Sequence, residues 1–202
     1  MNTTSLDKTE VARRLLGAAL DLFLRTQDPV SVHCLAMAGG EIAEWLAEKG
    51  GGEPFKNHVL ETFPDMNIKE LREIQRRYSN AFKHASDRKG RDREDESVLA
   101  SFDGTVNDAT LFIGWYDYGM SGLPRPIEAQ VLEAWYLAKH PEKVNPNANV
   151  SGINRVFPNL PALSLHRQHE RLLEVIRRTR KNGAVMNDPG TDRRPLLLPW
   201  ER

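Results

Sequence analysis

Cysteine is almost absent from this chain. A single Cys34 in 202 residues excludes an internal disulfide and any multi-cysteine metal site. That usage suits a reducing compartment, and a cytoplasmic protein is expected. An excess of charge is missing as well, with 28 Lys plus Arg against 28 Asp plus Glu. The global signature of a nucleic-acid or anionic-membrane binder is therefore lacking, and any polyanion site must be local. Long apolar runs are also missing. No basic start leads into an apolar stretch, and no segment approaches the roughly eighteen apolar residues of a membrane span. Neither export by such a signal nor a membrane partner is expected. The chain has no Gly-rich phosphate loop, no serine elbow and no His-Glu-x-x-His. Nucleotide hydrolysis, serine esterase and zinc protease chemistry lose their usual support, and no cofactor or metal is expected.

The chain does have enough apolar content, 40% of its residues, to bury one core of ordinary size. One helical domain is expected over 1–181, followed by a Pro- and Gly-rich tail over 182–202. Of the 28 basic residues, 19 are Arg and 9 are Lys, and Arg is the better donor to phosphate or carboxylate.

Helical periodicity accounts for most of the domain. Leu6 to Arg25 reads as an amphipathic helix burying Val11, Leu15, Ala18, Ala19, Leu22 and Phe23. Asp28-Pro29, a capping residue before a first-turn proline, predicts a second helix from Pro29 to Lys49. Its small residues and Gly39-Gly40 mark it as a central helix that another backbone approaches closely. Gly50-Gly51-Gly52 ends it, and the stretch to Met66 reads as a loop with one helical turn at most. Helices are then expected over Asn67–Ser86, Thr105–Tyr118, Pro126–Lys139 and Ala162–Lys181. A mobile charged loop is expected at about 87–103, and an irregular connection at about 141–161. No convincing strand pair appears. The fold class is all-α, a bundle of five or six helices. The Leu196–Trp200 run LLLPW is expected to dock on the domain or on a neighbouring subunit.

The stretch NIKELREIQRRYSNAFKHAS, Asn67–Ser86, joins a clean helical period to a possible chemical constellation. At 100° per residue, Leu71, Ile74, Tyr78, Ala81, Phe82 and Ala85 share one face. Glu73, Arg77, Asn80, His84 and Asp87 share the other. Arg77, Asn80 and His84 fit the needs of metal-independent RNA cleavage. Attack by a 2′-hydroxyl needs a group that trades protons near neutral pH, which His84 supplies. It also needs donors that hold the phosphate, which Arg77 and Asn80 supply.

Arg77 and His84 with their six-residue separation resemble the HEPN superfamily of small, all-helical nucleotide-binding and ribonuclease domains. That superfamily carries an Arg and a following His separated by four to six residues, and it commonly places a polar residue directly after the Arg, where this chain has Tyr78. The run DPVSVHCLAMAGGEI followed by NAFKHA is similar to a group of uncharacterised bacterial helical proteins, a likeness that supplies no activity. Together the resemblances cover roughly Asp28–Ser86. They imply a HEPN-like bundle, a homodimer, RNA as partner, and Arg77, Asn80 and His84 as the catalytic residues.

The rival reading is a non-catalytic interaction module. In it the same face is solvated or forms a subunit interface, and Trp135, Tyr136 and Trp200 seal a contact. His33 is read as a satisfied core histidine rather than a ligand, and ExxE at Glu41 and Glu44 lacks the Glu-x-x-His units of a di-iron bundle. His166 and His169 sit on an Arg-rich last helix. Its Arg167, Arg171, Arg177, Arg178, Arg180 and Lys181 form either a polyanion patch or an ordinary basic C-terminal turn.

Overall fold

The computed structural model describes residues 6–87, 89–144 and 151–199. Ten α-helices lie among them and the fold is all-α. α1 is Lys8–Leu24, α2 Pro29–Lys49, α3 Phe55–Thr62, α4 Ile68–Lys83 and α5 Glu96–Ala100. α6 is Val106–Met120, α7 Ile127–Lys139, α8 Ser151–Val156, α9 Leu165–Thr179 and α10 Gly183–Met186. No helix among the described residues is long and apolar enough to cross a membrane.

The α2 helix is the axis. Asp28 caps it by accepting from the Val30 and Ser31 amides, and Pro29 sits in the first turn. Its two mid-helix glycines serve opposite neighbours. A methyl on Gly39 would lie 2.8 Å from Leu16 Cγ on α1, whereas Gly40 meets the Cα of Gly114 on α6. Such side-chain-free contacts let α1 and α6 close on either side of α2, around Leu16, Leu20, Val32, Ala36, Leu111 and Trp115. Phe112 of α6 then stacks on Tyr136 of α7 at 4.3 Å between ring centres. Beyond it, Trp135 donates its indole N–H to the Gln168 carbonyl of α9 at 3.0 Å.

Several local expectations are corrected. The buried stripe of α1 is Ala12, Arg13, Leu16, Gly17, Ala19 and Leu20, turned from the expected one because Arg13 is drawn inward by the C-terminal segment. The Gly-Pro stretch before Met66 holds the two-turn helix α3, and α5 occupies part of the charged run. Within that run the Asp87 carboxylate pairs with Arg91 and Asp95 with Arg93, next to a bridge between Ser86 and Asp92. A two-residue parallel pair also exists, β1 Arg125–Pro126 with β2 Thr191–Asp192. This pair holds the C-terminal segment against α1, where Leu196 enters the core. Trp200 lies outside the described residues.

A capping box starts α4. Asn67 accepts from the Lys69 and Glu70 amides, and the Glu70 carboxylate accepts from the Asn67 amide. The helix stops at Lys83 rather than Ser86, and His84 is its extended C-cap residue, φ −123° and ψ 109°. Leu71 is buried on the inner face and Tyr78 and Phe82 are half-buried, while Ile74, expected there too, is 63% exposed. Ile74 lines a gap between α2, α4 and α6 instead of packing in the core.

Candidate functional site: a groove between three helices

The gap between α2, α4 and α6 is a groove of about 280 Å³. Gly40 and Gly114 contribute no side chain to it, Ala36 and Ala109 only a methyl, and Met37, Val106 and Ile113 form apolar walls. Ile74 sits at the groove with its side chain largely in solvent. From His33 to Glu44 the groove follows α2 for about 16 Å, at 1.5 Å rise per residue.

One end is ionic. Glu44 receives Lys56 of α3 at 2.7 Å and both guanidinium nitrogens of Arg72 on α4, while Lys56 also reaches Glu48. Burial pushes the Glu44 carboxyl up, yet the hydrogen bonds from Arg72 and Lys56 outweigh it and leave Glu44 below its usual range. Glu41 meets Arg76 at 3.1 Å, and both residues line the groove. These pairs hold α4 to α2 where apolar packing is thin.

Asp117 is the exception. It lies on α6, 2% exposed, with Oδ1 accepting the Phe55 amide at 2.7 Å. Its Oδ2 has no hydrogen-bond partner among the described residues. Burial is the main cause that pushes its carboxyl up to about 7. The Phe55 amide, Lys56 and Arg72 pull the other way, and Glu44 adds to the rise. A carboxyl that titrates near neutrality in an apolar groove can exchange a proton with a bound molecule or pair with a cation.

The other end holds His33, 3% exposed and ringed edge-on by Tyr78, Phe82 and Phe102. Asn107 fixes its tautomer. The Asn107 Nδ2 donates to the Pro29 carbonyl at 2.9 Å, which turns Oδ1 toward His33 Nδ1 at 3.0 Å. Nδ1 therefore carries the proton, a tautomer assigned from this network. Nε2 is a buried lone pair without a hydrogen-bond partner among the described residues. Burial lowers the pKa of His33, the Asn107 bond opposes that, and nearby Lys83 lowers it further. His33 is thus a core histidine, as expected, but a half-satisfied one.

Arg77, Asn80 and His84, the catalytic residues expected from the sequence, lie outside this groove. Arg77 is exposed, its guanidinium 3.3 Å from Ser101 Oγ and 5.5 Å from the centre of the Tyr78 ring. Asn80 is half-buried, and its backbone carbonyl accepts the His84 amide at 3.1 Å. His84 is exposed beyond the helix end. Among the described residues no side-chain hydrogen bond joins the three. His166 and His169 have separate partners, Glu170 for the first and the Leu24 carbonyl for the second. Arg167, Arg171 and Arg180 of the basic helix end are paired with Glu170, Glu174 and Glu128. The described residues that offer a compact metal-ligand set are Glu53, His58 and Glu61, with ligand atoms within 4.8 Å of one another. In that set His58 Nε2 is already engaged by the Tyr116 hydroxyl at 2.7 Å.

Sequence reasoning passed over Asp117. The signal was available: it is the carboxylate beside Tyr116 in LFIGWYDYG, where an acidic residue interrupts a stretch otherwise bound for the core. Comparison with family models, with curated proteins and with solved structures finds no match to this chain.

Proposed function

We propose that this chain is a helical protein that binds a small apolar molecule in the groove between α2, α4 and α6. One observation carries the reading. A cavity walled by Met37, Val106 and Ile113 contains a buried carboxyl, Asp117, whose Oδ2 is left without a partner among the described residues. Pockets for small ligands have this composition, mostly apolar with a few placed polar groups. The test is fluorescence of N-phenyl-1-naphthylamine, a neutral apolar dye, with the parent chain and with Ala109→Phe. The variant adds a ring where only a methyl now lines the groove. The parent should enhance the dye's emission saturably and A109F should abolish the enhancement while keeping its helical circular dichroism. Equal enhancement by both chains, or none by the parent, overturns the reading.

A second reading rests on a different surface. Arg77 and His84 are both exposed, at or beside the C-terminal half of α4, with Asn80 between them in sequence. This exposure supports RNA binding or metal-independent cleavage by a HEPN-like homodimer, with His84 moving the proton and Arg77 and Asn80 holding phosphate. It places the chemistry outside the groove, so the two readings are tested separately.

A further inference from the structure

Resting on the groove reading, we propose that the ligand is a primary amine on an apolar chain, its ammonium set against Asp117 Oδ2 and its chain lying between Met37 and Ile113. Charge complementarity selects the amine. At the ionic end Glu44 and Glu48 are matched by Lys56 and Arg72, and Glu41 by Arg76. Of the carboxyls at this end, Asp117 is the one that forms no ion pair among the described residues. Counted with Glu41, Glu44 and Glu48 against Lys56, Arg72 and Arg76, an ionised Asp117 is a fourth carboxylate against three cations. A proton on Asp117 removes that excess, in line with a carboxyl lifted to about 7 by burial.

A bound ammonium restores the balance in place of that proton. It arrives with its own three N–H donors, the Asp117 proton leaves to the buffer, and an ion pair with an N–H···Oδ2 bond remains. No covalent bond changes. The other candidate charges fit less well. A carboxylate ligand adds a second negative charge beside Asp117, and Arg72, the nearby guanidinium, is already held by Glu44 through both nitrogens. A neutral alcohol can hydrogen-bond to Oδ2 without removing the excess charge. The walls then set the form of the rest of the molecule, because Met37, Val106 and Ile113 offer no hydrogen-bonding side chain to a polar or multiply charged chain.

The experiment is isothermal titration of the full chain with octylamine, octan-1-ol and octanoate. Each is run near pH 6 in two buffers of different ionisation enthalpy. Octylamine should bind at least about tenfold tighter than octan-1-ol, with release of close to one proton, since Asp117 is mostly protonated there. Asp117→Asn should erase the preference for the amine. Octan-1-ol or octanoate matching octylamine, or octylamine binding without proton release, overturns the amine and leaves the groove reading standing. No binding of any of the three overturns both.

Discussion

Arg13 and Asp192, 179 positions apart, are joined by a 2.8 Å hydrogen bond from Nε to Oδ2 inside the protein. Arg13 is fully buried, and its other guanidinium nitrogens donate to the Leu196 and Pro195 carbonyls at 3.1 Å. One side chain thus satisfies an acid and two backbone acceptors of the returning C-terminal segment. Arg13→Met fills similar space but strands those acceptors, and loss of one partner of a buried pair costs about 3 kcal/mol. A thermal midpoint lower by roughly 10 °C is expected. Burial pushes Asp192 up, but hydrogen bonds from Arg194 and Arg13 outweigh it, so its folded pKa is depressed. Its stabilisation is therefore present above the ordinary carboxylate pKa and is lost as pH falls further. The gap between parent and variant should narrow below about pH 4. An unchanged midpoint for R13M at neutral pH would show that the clamp contributes nothing.

Gly17 lies under the same clamp. A methyl there would sit 2.4 Å from the Leu196 carbonyl oxygen and 2.7 Å from the Arg13 guanidinium. Backbone cannot yield as a side-chain end can, so Gly17→Ala should lift the C-terminal segment rather than merely strain it. Trypsin reads this directly at the Arg193–Arg194 bond just after β2, since Pro195 closes the next bond to the protease. Cleavage there should accelerate severalfold in G17A, with the remaining core still helical. Identical cleavage rates would mean that α1 and the segment accommodate the methyl.

The legible parts of this fold were those with local signals. Asp28-Pro29 and the triple glycine fixed both ends of α2, and aromatic periodicity placed α6 and α7 within two residues. Ile74 was misplaced because its helical phase is right but it faces a groove and is 63% exposed, a fact set by how α4 sits against α2 and α6. His84 departed for a related reason, since the spacing argument assumed a helix that ends one residue before it. The buried stripe of α1 depended on Asp192, nearly the whole chain away. The groove depended on Glu44, Arg72 and Asp117 from three helices, a meeting that no periodicity within one segment encodes.

Arg77, Asn80 and His84 make a separate, chemical prediction. If this face cleaves RNA without metal, activity persists in chelator and falls at least about a hundredfold in His84→Ala, the scale of a lost general acid or base. Arg77→Ala should also lose activity. These residues are exposed or half-buried, so their variants should unfold at the parent's temperature. The groove-filling Ala109→Phe serves as the control, because it lies on α6 and should leave RNA cleavage intact. Cleavage that survives H84A, or that is absent from the parent on varied RNAs, removes the ribonuclease reading.

Asp117 makes the pH dependence of stability informative. Its pKa is about 7 when folded and near 4 when unfolded, so between those values the folded state holds more protons. Stability must then fall as pH rises through this window and level off above it, opposite to the usual paired carboxylate. The charges that shift Asp117 are Glu44 on α2, Lys56 on α3 and Arg72 on α4, with Tyr116 adjacent on its own helix. None of these is expected to titrate between pH 5 and 8. His33, lowered by burial, works in the other direction in both parent and variant and cancels from their difference. Asp117→Asn keeps an oxygen for the Phe55 amide and removes the charge. Urea unfolding should place D117N progressively ahead of the parent from pH 5 to pH 8, by up to about 4 kcal/mol at 1.36 kcal/mol per pKa unit. Parallel profiles for the two proteins would show that Asp117 is ionised throughout. The proton whose release marks amine binding would then have no source in the groove.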